Sequence, residues 1–258
     1  MHGECAKTVP NNKAEQPLKH YRARFAEADS QALAAKTGLP FNAETSCFEF
    51  RVMDAHVSIS WPDGVVMRSS ALAKTCASAS NAADAQAASK DAPQAADNPA
   101  GAKCDATFDS VCAPAAAEGS SYLTILLLHM LLDGTLVPST GKFIPYAQIP
   151  WGTEYLDAFT GRCLKRLAYS FSCAHAFALG CEKVGAVKLA DETKADEAYE
   201  FEFVPGVFIR AYFWEGDEEF EPRAQVLFSD NIPLAFTAED VAVIGDLLIT
   251  AIKTGGIK

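Results

Sequence analysis

Apolar positions along the chain fall into short alternating runs and longer stripes, and the two patterns predict different elements. Between Tyr21 and Thr37 the composition is helix-forming, with Tyr21, Phe25, Ala28, Ala32 and Leu33 near one face and Gly38 placed as a stop. Alternation follows: Phe48, Phe50 and Val52 interleave with polar residues, Asp54-Ala55 can turn the chain into Val57, Ile59 and Trp61, and Pro62-Asp63-Gly64 reads as a tight turn into Val65 to Met67. This is the pattern of an antiparallel β-meander. Ser121 to Leu132 is apolar almost throughout and is ended by Asp133-Gly134, as in a buried core helix. A short extended piece at Lys142 to Tyr146 leads through Pro150-Trp151-Gly152 into a stripe where Tyr155, Phe159, Cys163, Leu167 and Phe171 recur every four residues. That stripe predicts one long helix, ended by Gly180 or Gly185. Strands are predicted at Glu200 to Val204, Val207 to Trp214 and Ala224 to Phe228. The last helix begins at Thr237, a capping residue with Asp240 three positions on, and runs to Gly255.

Strands and helices without regular βαβ alternation predict an α+β fold, an antiparallel sheet with helices packed on one face. One tract interrupts it. Ser69 to Gly119 is dominated by Ala, Ser, Asp and Pro, too poor in large apolar residues to repay the entropy of ordering. It reads as a disordered insertion with its ends close together, since loop closure costs grow slowly with length. Residues 1–20 are expected to be a flexible N-terminal segment and 21–258 a single domain. A linker between two independent domains would instead require the first 68 residues to fold on a very small core.

Charge narrows the choice of partners. The 258 residues carry 22 Lys+Arg against 33 Asp+Glu, a net charge of -11, which opposes binding to nucleic acid or to an anionic membrane face. The longest apolar run, Tyr122 to Leu132, is about half the ~20 residues needed to span a bilayer. Met1 to Asn12 lacks the apolar stretch of a secretory signal, so the expected compartment is the cytoplasm. Eight cysteines include no C-x-x-C pair. The best metal-like fragment, Cys173-x-His175 flanked by Cys163 and Cys181, would be spread around a helix, and these side chains read as small thiols in a reducing compartment.

The chemically unusual segment lies between Asp196 and Glu221, where nine carboxylates face one basic residue, Arg210. Its densest part is Trp214-Glu215-Gly216-Asp217-Glu218-Glu219-Phe220. Like charges a few ångströms apart near a surface cost up to a few kcal/mol, so compensation is expected nearby. Three readings are open: a hairpin partly solvated and partly paired with Arg162, Lys165 or Arg166; a divalent cation held by carboxylates, although the EF-hand pattern is absent; or a docking surface for a cationic partner, with Trp214 and Phe220 as apolar anchors. His129, inside the apolar helix, reads first as a hydrogen-bonded core histidine and second as a ligand or base facing a pocket. No phosphate-binding loop, zinc motif, nucleophile elbow or triad spacing occurs.

The ordered combination Leu127-Leu128-His129-Met130-Leu131-Leu132-Asp133-Gly134, Gly152-x-x-Tyr155-x-x-x-Phe159-x-x-Arg162 and Trp214-x-Gly216-Asp217-Glu218-Glu219-Phe220, followed by Leu227-Phe228 and Glu239-Asp240, resembles the bacterial and archaeal domain-of-unknown-function family 3786. Thr37-Gly38-Leu39 and Ser58-Ile59-Ser60-Trp61-Pro62-Asp63-Gly64 extend the resemblance over about residues 22 to 68 and 120 to 254, on both sides of the low-complexity tract. It implies no established activity. It suggests a setting in anaerobic redox or corrinoid metabolism, where some members carry an attached four-cysteine iron–sulfur module; here the first 20 residues hold only Cys5.

The resulting expectation is a cytoplasmic ligand- or partner-binding accessory domain whose surface includes Trp214, Asp217, Glu218 and Glu219, with His129, Tyr155 and Arg162 lining the same cleft. The ligand expected is cationic or a small molecule, with no nucleic acid and no membrane. The alternative is an enzyme using a carboxylate-bound divalent metal at Trp214 to Phe220. No catalytic residue, metal ligand or cofactor is assigned.

Overall fold

The computed structural model describes residues 13–70, 117–189 and 194–257. The expected disorder of the inserted tract and of the first residues lies outside these, as do Cys5, Cys76, Cys104 and Cys112.

The chain opens with two helices where one was predicted. Helix α1 spans Glu15–Glu27, so it begins inside the stretch expected to be flexible, and α2 spans Ser30–Thr37. The break falls at Ala28-Asp29, where the Asp29 carboxylate accepts from Gln31 N at 2.9 Å and caps the second helix. Gly38 ends it in the left-handed conformation at φ 69°. The meander follows as β1 (Phe41–Asn42), β2 (Cys47–Val52), β3 (Ala55–Ser60) and β4 (Val66–Ser70). In β2 and β3 the buried positions are Phe48, Phe50, Val52, Ala55, Val57 and Ile59; five are those read from the sequence, while Ala55, expected in the turn, begins β3 and Trp61 falls just past its end, half-buried. β4 then pairs with β5 (Ala117–Glu118), with Met67 opposite Glu118 and Arg68 opposite Ala117. The two ends of the inserted tract are thus neighbours in one antiparallel ladder, and the first sheet has the order β1-β2-β3-β4-β5.

Helix α3 (Ser121–Asp133) is capped by Ser120, whose hydroxyl accepts from Leu123 N, and buries Leu123, Leu126, Leu127, Leu128, Met130 and Leu131. Each such side chain contributes roughly 1.5–3 kcal/mol on leaving water. After β6 (Phe143–Pro145) and a short 3-10 turn (Tyr146–Gln148), the predicted long helix is broken into pieces. These are α4 (Leu156–Phe159), a π-helical segment (Thr160–Lys165), α5 (Arg166–Ala168) and, past a bend, α6 (Ala174–Lys183). The reason is in the spacing. A strict four-residue repeat drifts around an α-helix of 3.6 residues per turn, and the wider π segment takes up that drift. Phe159, Cys163 and Leu167 all remain buried as a result.

The second sheet is formed by β7 (Val187–Lys188), β8 (Glu197–Val204), β9 (Val207–Trp214) and β10 (Arg223–Ser229), with β6 on the far edge, in the order β6-β10-β9-β8-β7. All pairings in both sheets are antiparallel. The expected single sheet is therefore two, within the α+β class that the sequence indicates. Helix α7 (Ile232–Ala235) leads to α8 (Ala238–Thr254), whose N-terminus has the full capping box: Thr237 Oγ1 accepts from Asp240 N, and Asp240 Oδ2 accepts from Thr237 N at 2.9 Å.

A continuous hydrophobic cluster joins both sheets, including Phe25, Phe50 and Val57 from before the inserted tract and Phe177, Phe203, Phe228 and Leu248 from after it. Hydrogen bonds reinforce it: Met53 N donates to Phe203 O at 3.0 Å, and Ile257 N donates to the Asp54 side-chain Oδ1 at 3.1 Å. Among the described residues no helix is long and apolar enough to cross a membrane.

Candidate functional site

The residues singled out in the sequence are divided among three places. Trp214, Asp217, Glu218 and Glu219 lie at the end of β9 and in the loop joining it to β10. His129 lies on α3 and faces a separate pocket at the start of α8. Tyr155 is exposed ahead of α4, and Arg162, on the π segment, points to α8. The expected common cleft is not formed: α3 and the π segment both pack on α8, but His129 meets Asp240 at its start and Arg162 meets Asp246 further along it.

The acidic loop is held by main-chain donors and a phenol. Glu215 accepts from Ala174 N at 2.8 Å, placing negative charge at the N-terminus of α6, where the helix dipole favours it. Glu215 N in turn donates to Asp196 at 2.7 Å. Asp217 folds back on its own loop and accepts from Glu219 N at 2.8 Å and Phe220 N at 2.7 Å. Glu221 accepts from the Tyr169 hydroxyl at 2.7 Å, which raises the Tyr169 pKa. The turn closes tightly at Gly216, where a Cβ would stand 2.7 Å from the Pro222 ring. Trp214 donates its indole N–H to Lys194 O at 2.8 Å, and the Arg223 guanidinium lies 6.0 Å from its ring.

Of the three basic residues expected to compensate this loop, Arg162 and Arg166 are engaged elsewhere, while Lys165 lines a hollow beside Glu221. Arg162 and Arg166 both pair with Asp246 of α8, and Arg166 also reaches Thr250 at 3.1 Å. Lys188 pairs with Glu197 and Arg210 with Glu200 on the strands. Among the described residues, no ion pair reaches Glu215, Asp217, Glu218, Glu219 or Glu221, and no group of three or more His, Cys, Asp or Glu side chains converges as a metal site. Cys163 and Cys181 are buried free thiols, and burial pushes Cys163 up to about 12.

Two hollows flank Phe220, a side chain 68% exposed. One, of about 410 Å³, lies between the acidic loop and Phe171, Ser172 and Phe213. The other, of about 400 Å³, is lined by Thr160, Leu164 and Lys165 of the π segment together with Ala168, Tyr169 and Pro222. Phe220, Glu221 and Pro222 form the wall common to both. The sequence reading missed this apolar hollow, although the four-residue stripe was the available sign that the helix was not a regular α-helix. π-helical turns are frequent at functional sites.

The pocket at His129 has a volume of about 200 Å³. Its floor is His129, Asp133 and Asp240, and its walls include Ile149, Pro150, Trp151, Leu234 and Phe236. His129 Nδ1 lies 2.9 Å from Asp240 Oδ2, and Nε2 lies 3.5 Å from Asp133 Oδ2. The Asp240 hydrogen bond raises the His129 pKa, against the opposing effect of burial. Arg24 grips Asp133 through two bonds of 2.9 and 2.7 Å and holds its carboxyl below the usual range. At the rim Trp151 is 73% exposed with φ 67°, a left-handed conformation that costs a bulky side chain roughly 1–2 kcal/mol.

Residues 102–251 match the sequence profile of a family described as Domain of unknown function (DUF3786). The chain belongs to this family. The DUF3786 match takes in α3, all of the second sheet and most of α8, and so includes both His129 and the acidic loop. No match is found among curated proteins or among solved structures.

Proposed function

We propose that this DUF3786 protein is a partner-binding accessory domain, and that the paired hollows at Phe220 receive a basic segment of another protein. The observation that carries this reading is the juxtaposition at one loop of five carboxylates lacking basic partners among the described residues with an exposed aromatic side chain and an apolar hollow. An apolar anchor of the partner packs against Phe220, Tyr169 and Leu164, while its Lys or Arg side chains face Asp217, Glu218 and Glu219. In the anaerobic redox or corrinoid setting that the family resemblance implies, such a domain holds a protein component in place and performs no chemistry itself. The metal-enzyme alternative finds less support, since Asp217 spends a carboxylate oxygen on its own loop.

The test uses a fluorescein-labelled amphipathic peptide of Lys and Leu, with a Glu/Leu peptide of the same pattern as control, read by anisotropy. The Lys/Leu peptide is expected to bind, with affinity falling as salt rises and dropping about tenfold for Phe220→Ser and for the combined Asp217→Asn, Glu218→Gln, Glu219→Gln variant. Equal binding of the two peptides, or binding indifferent to both variants, would overturn the reading.

A further inference from the structure

The pocket at His129 is electrostatically and spatially distinct from the Phe220 groove, and its open position has a definite chemistry. Asp240 accepts the Nδ1 proton of a neutral His129, which leaves the Nε2 lone pair directed away from that bond. Asp133 Oδ2 stands 3.5 Å from Nε2, too far for a direct hydrogen bond and close enough for one polar atom to bridge the pair. With the imidazole neutral, both groups are acceptors, so the bridging atom must carry at least two protons. Arg24 and Lys36 lie near Asp133, and against the three carboxylates Asp133, Glu239 and Asp240 they leave the corner with a net charge of -1 while His129 is neutral. The walls are apolar, with the indole of Trp151 at the rim.

We propose that this pocket binds a small primary amine as its ammonium, which donates to His129 Nε2 and Asp133 Oδ2 while its hydrocarbon body lies against Trp151, Pro150 and Leu234. The ammonium restores local neutrality, and the exposed indole adds a cation–π contribution. A volume of about 200 Å³ limits the ligand to roughly the size of a single ring or a short chain. Gly134, in the pocket wall, packs so closely on α7 that a Cβ there would come within 2.4 Å of Ala235 O.

The ligand competes with a proton. The charged groups around the imidazole are Asp133 on its own helix, Arg24 from α1, Lys36 of α2 beside Asp133, and Glu239 and Asp240 from α8, with the neutral phenol of Tyr21 from α1 also facing it. In the protonated state Nε2 is a donor and repels an ammonium, so binding R–NH3+ to the imidazolium form releases one proton to solvent. Affinity therefore rises with pH through the His129 titration and levels off above it.

Benzylamine and benzyl alcohol are suitable probes, titrated calorimetrically at about pH 5.5 and about pH 8.5 in buffers of different ionisation enthalpy. Benzylamine is expected to bind at least about tenfold more tightly at the higher pH, with proton release in the intermediate range, and benzyl alcohol more weakly than benzylamine at about pH 8.5. Asp133→Asn should weaken benzylamine about tenfold or more. Trp151→Gly should weaken it as well while leaving the melting temperature equal or higher, because glycine relieves the left-handed strain. No benzylamine binding at millimolar concentration, tighter binding at the lower pH, or affinity unchanged in folded Trp151→Gly would overturn the proposal. The pH comparison on the unaltered protein decides even if Asp133→Asn fails to fold. Success or failure here is independent of the peptide test, since the two sites share no residue.

Discussion

The acidic loop and the His129 corner both gather carboxylates, yet they stabilise them by opposite means. In the loop, each carboxylate that is bonded meets a main-chain N–H or a phenol within hydrogen-bond distance, and Glu218 and Glu219 are exposed. At the corner, Asp133 and Asp240 are joined to Arg24 and His129, which come from other helices. Single hydrogen bonds tie the loop to α6, Asp196 and Tyr169 through Glu215 and Glu221, while Asp217 bonds only within the loop. Cross-helix charge pairs join α1, α3 and α8, so the corner bears on stability more than the loop does.

This contrast can be broken experimentally. The largest effect is expected from Gly134→Ala, whose new Cβ would strike the Ala235 carbonyl 2.4 Å away between two packed elements; a loss of about 2–4 kcal/mol in denaturant unfolding is expected. Gly216→Ala meets a clash of similar closeness against Pro222, but in an exposed loop that can shift, and should cost under about 1 kcal/mol. Next comes Asp240→Ala, which removes both the α8 capping box and the partner of His129. A loss of about 1.5–3 kcal/mol is expected, and a loss below about 0.5 kcal/mol would mean that the corner is as dispensable as the loop.

The pH dependence sharpens the comparison further. Because the folded protein raises the His129 pKa, its contribution is fully present below the ordinary histidine pKa and is lost as pH rises through the folded value. The difference in melting temperature between the native protein and His129→Gln should therefore shrink between about pH 6 and about pH 9. The smallest effect on stability belongs to the combined amide variant of Asp217, Glu218 and Glu219. Unfolding should be unchanged or slightly harder, since repulsion is relieved and the side-chain amide oxygen introduced by Asp217→Asn still accepts from the loop N–H groups.

Much of the scaffold was legible because its signals are local. Thr237 with Asp240 announced the α8 cap, and Phe48, Phe50, Val57 and Ile59 alternated as buried strand positions do. Asp29 was an equally local signal, a capping residue inside an apparently continuous helical pattern, and overlooking it merged α1 with α2. The site was harder to read. A count of charged side chains registers nine acids and one base but is blind to the main-chain donors that satisfy Glu215 and Asp217. The separation of His129 from Arg162 depends on which faces of α8 each one meets, Asp240 or Asp246, and that is a matter of packing between distant elements. The left-handed Trp151 follows from the tight turn ahead of Gly152, where the Gly152 N–H reaches Ile149 O at 2.7 Å.

The pairing of β4 with β5 has a practical corollary. Since Arg68 and Ala117 are cross-strand partners, the polypeptide departs from the first sheet and rejoins it at a single doorway. Excising 71–116 and bridging the gap with a few turn-forming residues would join β4 to β5 as an ordinary hairpin with the same ladder register. The same doorway is a natural port for grafting a reporter or a foreign domain, because whatever is inserted there begins and ends at neighbouring points on the surface of the fold.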